Sequence, residues 1–333
     1  MKFAVQTQGL TKQYKTTLAV DSINISVPEG CCCGFLGKNG AGKTTTIKML
    51  VGLNRPTAGT ISIMGEERVY GKQSTQPFGY LPDVPNFYGY MTGGEFLDLC
   101  GKLCKIPNPE RKSRVSELLK QVGLDKTRTR IAGYSRGMKQ RLGIAQAMIN
   151  SPPVIFMDEP ISALDPMGRR DVAEIISSLK STTIILSTHI LADVEHICDY
   201  VLVIEKGKIL AQDYLTNLKQ IHASNTAKIR FLTEYDARIF SQKAAEAGIT
   251  AEAPNPNELL LRKDAWDGSD LCRAAVGLIH NHGLPFESLG LHSPTLEEIF
   301  YQLVMKNAPT GAPDSNVHSA AAVHHPPGGI DNA

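Results

Sequence analysis

The stretch FLGKNGAGKTTTIKML, Phe35 to Leu50, decides the fold. Gly37, Lys38, Asn39, Gly40, Ala41, Gly42, Lys43 and Thr44 satisfy the pattern G-x-x-x-x-G-K-[ST] in full. Each residue type has a physical reason. Glycines let the backbone curl until successive N–H groups converge on phosphate oxygens. A helix beginning near Lys43 and running to Leu53 adds the positive end of its dipole at the same point. Lys43 reaches toward β- and γ-phosphates, the Thr44 hydroxyl is a ligand for Mg²⁺, and Thr45 is a further phosphate-binding candidate on the first helical turn. The apolar run CCCGFL (31–36) supplies the strand that must precede such a loop.

A phosphate site of this kind needs acidic residues at the end of a second strand, and VIFMDEP supplies them. Val154 to Met157 carry Asp158 to the strand's C-terminal edge, where it holds Mg²⁺ through water. Glu159 follows and points differently, so it accepts a proton from an attacking water or holds that water in line. Adjacent acids after a strand are also common as solvated turns; the complete phosphate loop favours the functional reading. No N-K-x-D guanine reader is present, which argues against a GTPase.

At 333 residues the chain is long enough for two domains with sizeable cores. The net charge of +2 points to no nucleic-acid partner. One local imbalance stands out: between Lys102 and Arg141 twelve Lys and Arg face three acids. That segment is either a solvated helical face or a surface for a partner or anionic lipid. No apolar run approaches the roughly 20 residues that cross a bilayer, so the chain is not expected to span a membrane by itself. Seven cysteines without a secretory signal fit a reducing, cytoplasmic setting. Cys31, Cys32 and Cys33 alternate faces on a strand and suit apolar packing, as do Cys100 and Cys104 one helical turn apart.

Strand signals recur at FAVQTQGL, INISV, TISIMG, VIFM and TIILS, and YVLVIE-KGK-ILAQD reads as a hairpin turning at Gly207. Residues 93 to 150 are helical by periodicity, broken at Pro107, Pro109 and Gly133, and another helix starts after Pro166. After about Asn225 the order β-α-β-β-α-β appears, the split βαβ pattern of ferredoxin-like folds. A last helix carries Thr295 and Glu298 as a capping box, and the Gly-, Pro- and His-rich tail from about Pro309 is expected to be disordered.

Between the two halves of the phosphate site stands Tyr134-Ser135-Arg136-Gly137-Met138-Lys139-Gln140-Arg141. Here the chain resembles the ATP-binding subunits of ABC transporters, whose signature is typically L-S-G-G-Q followed by a basic helix. Ser135 and Gly137 match; Tyr134, Arg136 and Met138 depart from the commonest form. Taken alone, a serine and glycine opening a helix would be a plain N-cap. Ser162-Ala163-Leu164-Asp165 resembles the family's D-loop, with alanine where glycine is usual. His189 stands where the family has its γ-phosphate switch histidine, and Tyr14 where an aromatic stacks on adenine. Asp83, in FGYLPDVPNF, occupies the place of a metal- and water-sensing glutamine, and remains an oxygen ligand suited to Mg²⁺.

The resemblance spans roughly residues 3 to 215, and the closing SPTLEEIFYQLV resembles an accessory domain of one bacterial exporter branch. It implies an α/β P-loop NTPase with an antiparallel β subdomain and a helical subdomain, plus a small α+β ferredoxin-like C-terminal domain. The expected boundaries are 1–220 for the ATP-binding domain (helical part about 85–150), 226–307 for the accessory domain and 308–333 for the tail. It also implies ATP and Mg²⁺ as ligands, with Lys43, Glu159 and His189 catalytic and Thr44, Asp158 and Asp83 on the metal. Ser135 and Gly137 would meet the γ-phosphate of a second copy, in a homodimer or with a similar ATPase subunit. A separate membrane-spanning permease would hold the pair, peripherally, at the cytoplasmic face of the membrane. Two rivals are a soluble ABC ATPase acting on ribosomes or DNA, and a regulatory module that binds nucleotide without hydrolysis. One cassette without sustained heptads disfavours the first; intact Asp158, Glu159 and His189 disfavour the second.

Overall fold

Alternating burial along FAVQTQGLTKQY makes β1 (Phe3–Tyr14) a half-buried strand, and it becomes the centre of an antiparallel sheet. The sheet order is β2 (Thr17–Ile23), β1, β5 (Ala58–Ile63), β6 (Glu66–Glu67), with β3 (Ser26–Pro28) also pairing β1. The computed structural model describes residues 2–71, 77–162, 164–179, 182–222, 226–264 and 266–306. Ala163 and the tail expected to be disordered lie outside the described residues.

The second sheet has six strands in the order β11 (Lys208–Tyr214), β10 (Tyr200–Glu205), β4 (Cys32–Leu36), β9 (Thr183–Thr188), β8 (Val154–Asp158), β7 (Phe78–Leu81). All neighbours from β10 to β7 are parallel, and β11 joins antiparallel through the predicted hairpin, where Lys206 and Gly207 take φ 48° and 78°. Strands β8, β9 and β10 are apolar and buried on both faces, as a covered parallel sheet requires. Register brings three chain crossings together at one edge: Leu36 pairs Thr188, and Asp158 pairs Ser187. Ligands of open α/β sheets sit at such C-terminal strand ends.

Two cores flank this sheet. One lies between it and the antiparallel sheet, includes Val5, Val20, Phe35, Ile63 and Phe156, and is capped by α1 (Lys43–Leu50). Helix α1 stops at Leu50 rather than Leu53, because Val51 caps it and Gly52 turns the chain at φ 78°. The other core packs α2 (Gly93–Leu103), α3 (Asn108–Gln121), α4 (Arg136–Ala147), α5 (Pro166–Ser178), α6 (Leu191–Ile197) and α7 (Leu215–His222). Pro107 and Pro109 flank the start of α3, where a missing N–H costs nothing. The cysteine run splits as alternation demands: Cys31 and Cys33 join the first core and Cys32 the second, its Sγ 3.6 Å from Cys198 Sγ. Cys100 packs against the helical core, whereas Cys104 is exposed at the end of α2.

The C-terminal unit runs β12 (Thr226–Phe231), α8 (Glu234–Glu246), β13 (Thr250–Asn255), β14 (Glu258–Arg262), α9 (Gly268–His282), β15 (Phe286–Leu291). Its sheet order is β13-β14-β12-β15, antiparallel throughout, the ferredoxin-like arrangement. Phe231, Phe240, Leu261 and Leu271 anchor a third, separate core. Helix α10 (Leu296–Lys306) starts with the Thr295–Glu298 capping box, both halves formed at 3.0 and 3.2 Å. It buries Leu296 and Ile299 in the helical core of the first unit, not in the small sheet's core.

Candidate active site

The glycine loop leaves β4 and folds around its own lysine. Lys43 Nζ donates to Gly37 O at 2.7 Å and to Lys38 O at 3.3 Å, and the residue is only 5% exposed. Two glycines are required by space. A Cβ on Gly37 would lie 2.4 Å from Ile204 O, and one on Gly42, at φ 113°, 2.8 Å from Ala19 O. The β10–β11 turn props the loop from below, with Gly207 N–H donating to Ala41 O at 2.9 Å.

Strand β8 delivers Asp158 to the same edge, 1% exposed. Its Oδ1 accepts from Thr44 Oγ1 at 2.9 Å and from Ser187 Oγ at 2.6 Å. Glu159 follows with a left-handed φ of 48°, which turns its side chain away from that of Asp158. The Glu159 N–H donates to Ser187 Oγ at 3.0 Å, and Glu159 O accepts from Ser162 Oγ at 3.2 Å. Its carboxylate bridges two side chains: Oε1 lies 3.5 Å from Lys43 Nζ, and Oε2 lies 3.0 Å from His189 Nδ1.

Lys43, Thr44, Glu159 and His189 line a cleft of about 370 Å³ together with Asn39, Gly40, Gly42, Thr45, Asp83, Ser162 and Ala19. Negative field accumulates along one wall. Burial, then the carboxylates of Asp158 and Glu159, push the Asp83 carboxyl above its ordinary value, with Arg136 pulling the other way. Burial, then the carboxylates of Asp158 and Asp83, lift the Tyr80 phenol to about 12. The chemistry of the wall therefore fits a hard divalent cation: one hydroxyl, Thr44, and carboxylate oxygens. The cleft is also lined by the glycine loop, by Lys43 and by Thr44 and Thr45 on the first turn of α1, a helix N-terminus with a lysine, which fits phosphate.

Of the residues singled out by sequence, Lys43, Thr44, Thr45, Asn39, Gly40, Gly42, Asp83, Glu159 and His189 meet in this cleft, with Asp158 bonded to Thr44 behind it. Gly37, Lys38 and Ala41 of the loop stand outside its lining, as do Tyr14, Ser135, Gly137 and Asp165. The Tyr14 ring is 44% exposed at the end of β1; its hydroxyl accepts from Asn54 Nδ2 at 2.8 Å, and Lys12 Nζ sits 4.8 Å from the ring centre. Ser135 caps α4, accepting from Met138 N–H at 3.2 Å, and the nearest atom to a Cβ on Gly137 would be Leu164 Cδ2 at 4.0 Å. Asp165 caps α5 through Gly168 N–H at 3.2 Å. The sequence reading misses Ser187, which joins Asp158 to Glu159. Its signal is faint: a hydroxyl two residues before His189, at the end of a fully buried strand.

Comparison with known proteins agrees with this geometry. The sequence profile described as "ABC transporter" matches residues 20–162. An uncharacterized ABC transporter ATP-binding protein of Bacillus subtilis (strain 168), YxlF, is 42% identical over 220 residues, 66% of this chain and 73% of the relative. The daunorubicin/doxorubicin resistance ATP-binding protein DrrA of Streptomyces peucetius is 34% identical over 308 residues, 90% of this chain and 92% of the relative. A solved ATP-binding subunit of an ABC transporter superposes with a TM-score of 0.58 at 30% identity, over 66% of this chain and 92% of its own. With similarity running through both units of the chain, and not only through the phosphate loop, the chain belongs to the ABC transporter family as one of its ATP-binding subunits.

Proposed function

We propose that this subunit hydrolyses ATP with Mg²⁺ as a dimer, and that dimer closure powers export through a separate membrane-spanning subunit. The observation that carries the proposal is the Glu159 carboxylate held between Lys43 and His189, beside the Thr44–Asp158 pair. Lys43 and the loop N–H groups bind the β- and γ-phosphates. Thr44, Asp158 and Asp83 are the oxygens that would hold Mg²⁺, whose bound charge offsets that of the phosphates. Glu159 orients the attacking water and accepts its proton, and His189, on the other carboxylate oxygen, keeps that side chain turned into the cleft.

Cassettes of this family dimerise and work with membrane permease subunits. Two features of this chain support the same arrangement here. Ser135, Gly137 and the N-terminus of α4 are anion-seeking groups outside their own chain's cleft, which an isologous pairing places on a second copy's γ-phosphate. Among the described residues no helix is long and apolar enough to cross a membrane, which accords with a separate membrane-spanning subunit. The relative DrrA is named for drug resistance, and a bacitracin transport protein is 40% identical over 225 residues; export at the cytoplasmic face follows that pattern.

Glu159→Gln tests the reading. ATP affinity is expected to hold within about twofold, turnover to fall at least about 100-fold, and light scattering to show an ATP-bound dimer. Undiminished phosphate release overturns the role of Glu159, and a strict monomer at saturating ATP, also beside the membrane subunit, overturns the pairing.

A further inference from the structure

Helix α6 begins two residues after His189 and is only seven residues long, too short to hold itself in water. Its position is set by what it touches, and it is held on three sides. Beneath it, Val194 is fully buried against β4, where Gly34 leaves room for it. On one flank, Asp193 accepts two hydrogen bonds from Arg169 of α5, at 3.0 and 2.8 Å. On the other, Glu195 meets Lys219 Nζ of α7 at 2.8 Å and accepts from Leu296 N–H, the first residue of α10, at 2.9 Å.

The last contact crosses from one folding unit to the other. The reciprocal Thr295–Glu298 cap satisfies two N–H groups at the start of α10, and Glu195 satisfies a third from 101 residues away. Leu296 and Ile299, both 0% exposed, fix α10 in the core that holds Val194. Burial works against a charge on Glu195, but the hydrogen bonds from Lys219 and Leu296 N–H outweigh it and keep its carboxyl below the ordinary glutamate value. His189 itself has an exposed ring hydrogen-bonded to Glu159, and its backbone leads through Ile190, the N-cap, directly into α6.

We infer that Glu195 is a positioning residue for His189, and that α10 is built into the switch as one of its supports instead of serving the C-terminal unit alone. Movement of the C-terminal unit would then reach the cleft through α10, Glu195 and α6. This rests on the reading of His189 as a residue of the hydrolytic site.

The full chain is assayed for phosphate release (kcat and KM) and for ATP affinity, as parent, Glu195→Ala, Glu195→Gln, His189→Ala and the His189→Ala/Glu195→Ala double variant. Glu195→Ala is expected to lower kcat about three- to tenfold with ATP affinity unchanged. Glu195→Gln, which keeps an oxygen for Leu296 N–H, is expected to stay within about twofold of the parent, and the double variant to be no slower than His189→Ala alone. Glu195→Asp, whose shorter side chain retracts from Leu296 N–H, serves in place of an alanine variant that does not fold. Losses that multiply in the double variant, affinity falling in step with kcat, or a parent rate in Glu195→Ala with His189→Ala slow, each overturn the inference while His189 keeps its role. A parent rate in His189→Ala overturns that role itself, and the inference with it.

Discussion

At the scale of single residues, Glu159 is the costliest position in the cleft. A non-glycine residue at φ 48° is strained, and strain of that kind, of order 1–3 kcal/mol, persists only where neighbours over-determine it. Ser187 is the chief of them, accepting the Glu159 N–H while donating to Asp158. Ser187→Ala leaves the N–H with only the longer 3.2 Å contact to Ser187 O and strips Asp158 Oδ1 of one donor. Turnover should fall about tenfold, the size expected from losing one buried hydrogen bond, with ATP affinity much less affected; single-turnover phosphate release beside an ATP titration measures both. An unchanged rate would mean that Glu159 is held without the serine. Residues meeting in the cleft are legible in sequence where spacing alone places them: Lys43 and Thr44 follow the glycines, and Glu159 follows the Asp158 strand. Ser187 is not, because its role depends on register between β8 and β9.

Among the elements, strands with long apolar or alternating runs read directly from sequence, whereas β2 and α6 do not. Strand β2 turns only Val20 and Ile23 fully inward, and α6 only Val194, so neither carries a periodic signal. What locates α6 is a glycine elsewhere. Gly34 lies inside β4, where a glycine weakens a strand unless another group must come close. A Cβ there would stand 2.6 Å from Val194 Cγ1 and 3.3 Å from Cys198 Sγ. Valine is stiff at χ1, so the collision lifts the helix instead of rotating the side chain. Gly34→Ala should therefore cost about 1–3 kcal/mol as overpacking, and adding Val194→Ala should recover part of the loss in thermal unfolding. No recovery would show that α6 is not seated on this strand.

At the scale of the whole molecule, three cores divide between two units, and the C-terminal one has its own reporter. The chain's single tryptophan, Trp266, packs against the third core with Lys263 Nζ 4.0 Å from its ring centre. The β-α-β-β-α-β order of this unit is legible because its elements are local and well capped; the docking of α10 on the other unit is not, since the contact that anchors it joins Glu195 to Leu296. On the small sheet, Glu258 is 3% exposed and is gripped by Lys228 at 2.8 Å and by Arg230 at 2.8 Å. The hydrogen bond from Lys228 first, and that from Arg230, hold its carboxyl below the ordinary glutamate value against the upward push of burial. A depressed folded-state value means that the unfolded chain binds the proton more readily, so the stabilisation is complete above the unfolded glutamate pKa of about 4.3 and is lost as pH falls through the folded value. Urea unfolding followed by Trp266 emission should show a midpoint that drops as pH falls below about 4.3, and Glu258→Gln should lower the midpoint at neutral pH while flattening that acid limb. An acid limb as steep in Glu258→Gln as in the parent would assign it to other carboxylates. Because the tryptophan sits in the C-terminal unit, that limb reports the unit that α10 ties to the switch, and an ATP-dependent shift in its midpoint would be the whole-molecule counterpart of the Glu195 contact.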